Sequence, residues 1–268
     1  MCIFSGDIQE VKDTKIFARL SGKGTQYLVY SMSFAVRQEV AMILPLPIAL
    51  KAPESPIHFI SLESYPQFFS HMIAELKLDE SQNMSRSISV LEVHQVGSYE
   101  ASFVPRLADF KHLDKRFQLP TNIWDSLPQY KDYGFAVFQL RGNLENKTIS
   151  FHPMAFEFAT RFPEQLFFPT IHVHDRLVRH HAEFDHYLFY QNNFNQYQQK
   201  VVPLFWLNEE NVDHSSIKYA HGSNFPAGTF IHVEKTSGIV DGSKPCRGIR
   251  LHGVFPNQDI TFAAAIIP

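Results

Sequence analysis

Apolar and polar residues alternate over most of this chain, and the alternation stops at clusters of Gly, Pro and amide residues. Residues 14–36, TKIFARLSGKGTQYLVYSMSFAV, read as two strands joined at Ser21-Gly22-Lys23-Gly24, a loop long enough for a hairpin. VAMILPLP, from Val40 to Pro47, is a continuous apolar run that reads as a buried strand ending at its prolines. IHFISL, from Ile57 to Leu62, is another strand. The spacing then changes. Phe69, Met72, Ile73 and Leu76 form one helical stripe, which predicts a helix from Tyr65 to Leu76 with Ser64 as its cap and Pro66 in its first turn.

The polar stretch DESQNMSRS reads as a loop and a boundary, and SVLEVHQVGSYEASFVP resumes strand character. Leu107, Phe110, Leu113 and Phe117 predict a second amphipathic helix. A short third helix is expected from Thr121 to Leu127, stopped by Pro128, and a further one from Glu209 to Tyr219 with Asn208 as its cap. From Tyr133 onward nearly everything else reads as strand: GFAVFQL, TISFHPMAFEF, QLFFPTIHVH, LVRHHAEFDHYLFY, KVVPLFWL, GTFIHVEK, GIRLHGVF and DITFAAAII. The pattern predicts a β-rich α+β fold with mostly antiparallel sheets and two or three short helices. A parallel α/β fold would need helices between the C-terminal strands. One compact domain over 1–268 is expected, with sublayers 1–105 and 133–268 joined by a helical segment, 106–132.

Composition narrows the class. At 268 residues, 44% of them hydrophobic and with 25 Phe and 10 Tyr, the chain can bury a large core, which excludes disorder as a whole-chain reading. The net charge of −3 and the lack of a long Lys/Arg run argue against nucleic acid as a partner. Two cysteines are too few for a disulfide scaffold. The N-terminus has no leader pattern, and the one long apolar stretch is interrupted by Pro45 and Pro47. A soluble, cytoplasmic protein with no membrane partner is expected.

The chemistry concentrates in PTIHVHDRLVRHHAEFDH, from Pro169 to His186, which holds five of the chain's 14 histidines. If Asp175-Arg176 is a two-residue hairpin turn, His172, His174 and His181 share one strand face and Ile171, Val173, Val178, Ala182 and Phe184 the other. Two imidazoles at i and i+2 with a third across the ladder suit a transition metal ion such as Zn, Fe or Cu. Glu183 and Asp185 lie on the face of His181 and supply a carboxylate. His152, in FHPMAFEF, is a further candidate ligand. In this register His180 and His186 point to the apolar side. The alternative is a polar strand face with no metal.

Cys2 raises a second chemistry. Removal of Met1 would leave a thiol beside a free α-amine, which can act as its local base. Cys2 as a thiolate ligand beside the histidines is a further option. Cys246, with Arg247, Arg250 and His252 following, is a weaker nucleophile candidate.

Two resemblances follow from these residues. The Met-Cys start and Arg19 in FARLSG resemble the N-terminal cysteine hydrolases, which imply an amidohydrolase using Cys2. Those enzymes place an aspartate shortly after the arginine, where this chain has Ser21 and Gly22. The order Cys2, KIFARL, TQYLVYSMSF, AMILPLP and FISLESYPQFF resembles a bacterial family of unknown function, over about the first 105 residues. HPMAFEF and FFPTIHVHD look like a cytoplasmic branch of it. Three functions stay open: a metalloprotein or metalloenzyme, an amidohydrolase acting on a small-molecule or peptide substrate, and a non-catalytic binding module.

Overall fold

The computed structural model describes residues 2–36, 38–53, 55–78, 99–140, 149–150, 152–191, 217–219 and 225–263. The strands are β1 (Ile3–Phe4), β2 (Glu10–Leu20), β3 (Thr25–Ala35), β4 (Val40–Leu46), β5 (Ile57–Ser61), β6 (Glu100–Val104) and β7 (Gly134–Leu140). There follow β8 (Ile149–Ser150), β9 (Met154–Ala159), β10 (Gln165–Phe168), β11 (His181–Gln191), β12 (Ile217–Tyr219), β13 (Arg247–Pro256) and β14 (Ile260–Ala263). The α-helices are short, α1 (Phe68–Leu76) and α2 (Thr121–Asp125). An eight-stranded sheet runs β12-β13-β11-β2-β3-β9-β5 with β8 also on β3, and a four-stranded sheet runs β1-β4-β7-β6. All described ladders are antiparallel except β11 with β2. The architecture is the β-rich, mostly antiparallel α+β fold that the pattern predicts. Both large sheets draw strands from 1–105 and from 133–268.

Burial parity shows how the layers stack. Val40, Met42, Leu44 and Leu46 of β4 and Ala136, Phe138 and Leu140 of β7 meet Leu28, Tyr30, Phe34, Phe156 and Phe158 of the large sheet. The outer face of the small sheet, with Ala41, Ile43 and Phe135, is covered by Phe110, Phe117, Ile123 and Tyr130. The outer face of the large sheet, with Phe17, Val29 and Phe189, is covered by Phe68, Phe69, Met72 and Leu76 of α1 and by residues near 227–246. Because β4 is covered on both faces, it reads as an unbroken apolar run rather than an alternating one. It continues through Pro45, which pairs with Phe135, to Leu46. β1 stands beside only Met42 and Ile43, so it offers no ladder partner at position 45.

The β2–β3 hairpin forms at the expected loop. Gly22 and Gly24 both take positive φ, where a side chain would be strained, and Ser21 N donates to Thr25 O at 2.9 Å. Buried Gln26 on β3 ties this sheet to β10: its Nε2 donates to Phe167 O at 2.7 Å and its Oε1 accepts from Phe167 N at 3.0 Å. Gln26→Leu would strand both backbone groups. The expected loss is about 2–3 kcal/mol in a urea titration, and a loss below about 0.5 kcal/mol would show that the bonds are replaceable.

Four elements differ from the sequence expectation. Helix α1 begins at Phe68 after Gln67, not at Tyr65 after Ser64. Tyr65 turns into the core instead, and its hydroxyl lies 2.8 Å from His71 Nδ1 and accepts from His232 N at 3.2 Å. The expected helix from Leu107 to Phe117 is two 3₁₀ turns, Leu107–His112 and Lys115–Phe117, with extended Leu113 between them. Spacings of three suit a 3₁₀ turn as well as a helix, and Asp114 breaks the run by accepting from Arg116 N. GTFIHVEK is not a strand; it is covered at its two ends by the 3₁₀ turns Ala227–Thr229 and Val233–Lys235. There Gly228 N donates to Gly242 O at 2.9 Å, and a Cβ on Gly228 would sit 3.1 Å from that oxygen. Ile217–Tyr219, the end of the expected helix from Glu209, is strand β12. The rest of that helix and KVVPLFWL lie outside the described residues, as do residues 79–98. Among the described residues no helix is long and apolar enough to cross a membrane.

Candidate functional site

The segment before β11 is not one arm of a hairpin. Arg176 takes positive φ, and Asp175 accepts from Leu177 N and from both Arg179 guanidinium nitrogens, at 2.8 and 2.6 Å. These bonds close a wider loop than a two-residue turn. β11 then pairs with β13 and β2, leaving residues 169–174 beside the N-terminal strand. There Val173 N donates to Cys2 O at 3.2 Å and Phe4 N to Val173 O at 3.0 Å.

This arrangement regroups the histidines. His172 and His174 do share a face, as expected, but it packs inward, and Ile171 and Val173 on the other face are buried as well. The His172 ring lies 5.4 Å from His174, 5.2 Å from His186 and 4.4 Å from Phe184, all within 22° of parallel. Phe4 meets His174 edge-on at 5.6 Å. His186 therefore takes the third place in the cluster. His181, Glu183 and Asp185 occupy the opposite face of β11, where His181 and Glu183 are exposed. Asp185 lies 3.7 Å from Arg250 and 3.6 Å from His252. His152 packs against Tyr99, the rings tilted by 39° with centroids 4.7 Å apart. His180 is exposed rather than turned into the core.

The cluster is an aromatic packing unit made of imidazoles. Burial drives His172 and His186 well below the ordinary histidine range and His174 down to about 4, so all three are neutral at pH 7. Nε2 of His172 and of His174 is buried with no hydrogen-bond partner among the described residues. Imidazole lone pairs lie in the ring plane, so stacked, nearly parallel rings direct them along parallel lines rather than to one point. Among the described residues no three His, Cys, Asp or Glu side chains are grouped so that they would hold a metal ion.

Cys2 does lie next to this cluster, its carbonyl bound between the two histidines of His172-Val173-His174. Its side chain is fully buried, and burial pushes the thiol up to about 12, although the Tyr30 hydroxyl beside it pulls the other way. A thiol so rarely ionised is a poor nucleophile at neutral pH. Cys246 is equally buried, on the α1 side of the large sheet, and is also raised to about 12 by burial. His252, six residues along, stands about 20 Å away on an extended strand and is exposed. Both thiols are expected to resist dithionitrobenzoate in the folded protein: fewer than about 0.1 equivalents should react in the first minutes, and both should react in guanidinium. Rapid native labelling of either thiol would refute this burial.

Two residues of the turn between β13 and β14, Asn257 and Asp259, organise the region. Asp259 Oδ1 accepts from Thr170 N at 2.8 Å and Ile171 N at 3.0 Å, and its Oδ2 accepts from Tyr130 OH at 2.7 Å. Asn257 Oδ1 accepts from His172 N at 2.7 Å, and its Nδ2 donates to His172 O at 2.9 Å and Arg179 O at 3.0 Å. The signal for them was the turn PNQD between two strands, because Asn and Asp side chains bond nearby backbone.

No protein-family model matches the sequence, and no curated protein does. Among solved structures, the chain is similar to the crystal structure of baculovirus P35, with TM-score 0.57 and 14% identity over 98% of this chain and 99% of that one. It also matches a mutated baculovirus P35 after caspase cleavage, with TM-score 0.46 and 15% identity over 95% and 100% of the two chains. A third match is the caspase-8/P35 complex, with TM-score 0.44 and 15% identity over 94% and 96%. At these identities the likeness is one of fold: the described architecture has the baculovirus P35 arrangement along essentially its whole length.

Proposed function

We propose that this chain is a non-catalytic binding module with a protein partner, and that the partner is a protease of the caspase class. The observation that carries the reading is the likeness of fold to baculovirus P35, which spans both chains nearly end to end. P35 is the protein found in complex with caspase-8, and the partner class is taken from it. A secondary support is the state of the described reactive groups. Cys2 and Cys246 are buried with raised thiols, and the histidines nearest Cys2 are neutral packing groups. Such a molecule acts through its surface, with the stacked sheets as a rigid support.

The experiment mixes the full chain with purified caspase-8 at equal molarity and follows peptide hydrolysis and size-exclusion elution. Co-elution with loss of about nine-tenths of the activity is expected for binding well below micromolar. Undiminished hydrolysis together with separate elution overturns the caspase partner.

One observation favours a second reading, a Zn, Fe or Cu site. Nε2 of His172 and of His174 is buried without a partner among the described residues, the His172 ring stacks on His186, and Val173 between the two histidines is bonded to the Cys2 carbonyl. Ligation would require the rings to turn out of their stack. Stoichiometric metal in the purified protein, lost in His172→Ala and His174→Ala, would support it; metal-free protein that takes none up removes it.

A further inference from the structure

The turn carrying Asn257 and Asp259 forms one wall of a cleft of about 560 Å³. The second wall is the segment from Ile171 to His181, and the third is the turn from Ser126 to Gln129 after α2. That volume lies within the roughly 300–1,000 Å³ usual for small-ligand sites. The walls are joined from beneath. Asp259 holds Tyr130 and the backbone of Thr170 and Ile171, while Asn257 holds the backbone of His172 and Arg179. The Asn257 N–H also donates to His180 O at 2.8 Å. A ligand therefore meets a cleft that is already formed, and little ordering energy is lost on binding.

The lining has a definite chemistry. Leu127, Ile171, Val178 and Pro256 supply an apolar part. Gln129, His180, His181 and Gln258 supply N–H groups that can donate. Arg179 also lines the cleft, with its guanidinium held by Asp175. No Asp or Glu is among the described lining residues, so an anion entering it meets donors and no opposed carboxylate.

We propose that this cleft binds a carboxylate carried beside a short apolar group. The apolar part packs on Ile171 and Val178, and the carboxylate accepts from the His180 and His181 imidazoles and the neighbouring amides. The carboxylate can come from an acidic residue of a peptide or from a free organic acid. The proposal does not depend on the identity of any protease partner.

The test is calorimetric titration of the full chain with three probes: acetyl-Leu-Asp-amide, hexanoate and acetyl-Leu-Asn-amide. Saturable binding of the first probe alone identifies a peptide source, and binding of hexanoate shows that free acids enter. The Leu-Asn probe, isosteric but neutral, should bind at least about five-fold more weakly than the Leu-Asp probe, as expected for the loss of charge-assisted bonds. The double variant His180→Ala/His181→Ala should weaken binding by a similar factor. Gln129→Trp, on an exposed turn, fills the cleft and should do the same even if the double variant folds poorly. The proposal is overturned if neither acid saturates, if the neutral probe binds as well as the acidic one, or if Gln129→Trp leaves the affinity unchanged.

Discussion

Acidification from pH 7 to pH 4 is expected to destabilise this protein through its imidazole stack. His172, His174 and His186 are held neutral in the fold, while in the unfolded chain each binds a proton near the ordinary value of 6.5. Between the folded and unfolded pKa values the unfolded state carries more protons, so stability is fully present above pH 6.5 and falls as the pH drops. For His174 the window closes at about 4. A shift of that size corresponds to about 3 kcal/mol, at 1.36 kcal/mol per unit. Burial moves His172 and His186 in the same direction. One group opposes them. Burial pushes Asp259 up to about 6, so its folded form holds an extra proton between pH 6 and 3.8 and gains stability on acidification. That opposing contribution is also about 3 kcal/mol. Three histidines outweigh one aspartate, and the net effect is loss.

Urea titrations at pH 7 and pH 4.5 measure this directly. His174→Gln should flatten the dependence, and Asp259→Asn should steepen it by removing the opposing term. Equal stability at the two pH values would mean that the stack is solvated and the imidazoles are not buried as neutral groups.

Phe138→Ala is expected to be the most damaging single truncation, at about 3–5 kcal/mol. Phe138 is fully buried on β7, and its ring meets Tyr99 at 5.5 Å, Phe59 at 5.8 Å and Phe156 at 6.1 Å. Phe59 and Phe156 belong to the large sheet, so this ring joins the two sheets across the core. Its removal leaves a cavity between two hydrogen-bonded layers that are poorly able to collapse. Phe138→Leu keeps most of the volume and should cost roughly half as much. A melting-temperature drop of about 8–16 °C is expected for the alanine variant. A loss under 1 kcal/mol would show that the sheets are not held together at this point.

Strand positions were readable along much of the described chain because side chains alternate across a pleated sheet. The β2–β3 hairpin was readable because Gly22 and Gly24 mark the only conformation its loop needs. β4 was readable as buried from its continuous apolar run. Helix boundaries were less so. Tyr65 has helical spacing with Phe69, yet its position was decided by the distant His232, and the 107–117 run obeys a period of three that two helix types share.

The site shows the same division more sharply. From the sequence, a two-residue hairpin places His172, His174, His181, Glu183 and Asp185 on one face and His186 on the apolar side. Only the tertiary structure splits that face: His172 and His174 pack with buried His186, while His181 and Glu183 are exposed. A strand's parity is local, but the partner it pairs with is not. β11 pairs with β13 and β2 rather than with the segment before it, so His172 and His174 pack against Phe184 and His186, and His181 faces solvent. Cys2 comes beside them for the same non-local reason, because β1 lies along residues 172–174. Asn257 and Asp259, which hold those segments in place, act through side-chain bonds to backbone about 80 to 90 residues away and to the Tyr130 hydroxyl 129 residues away, distances over which no periodicity carries information.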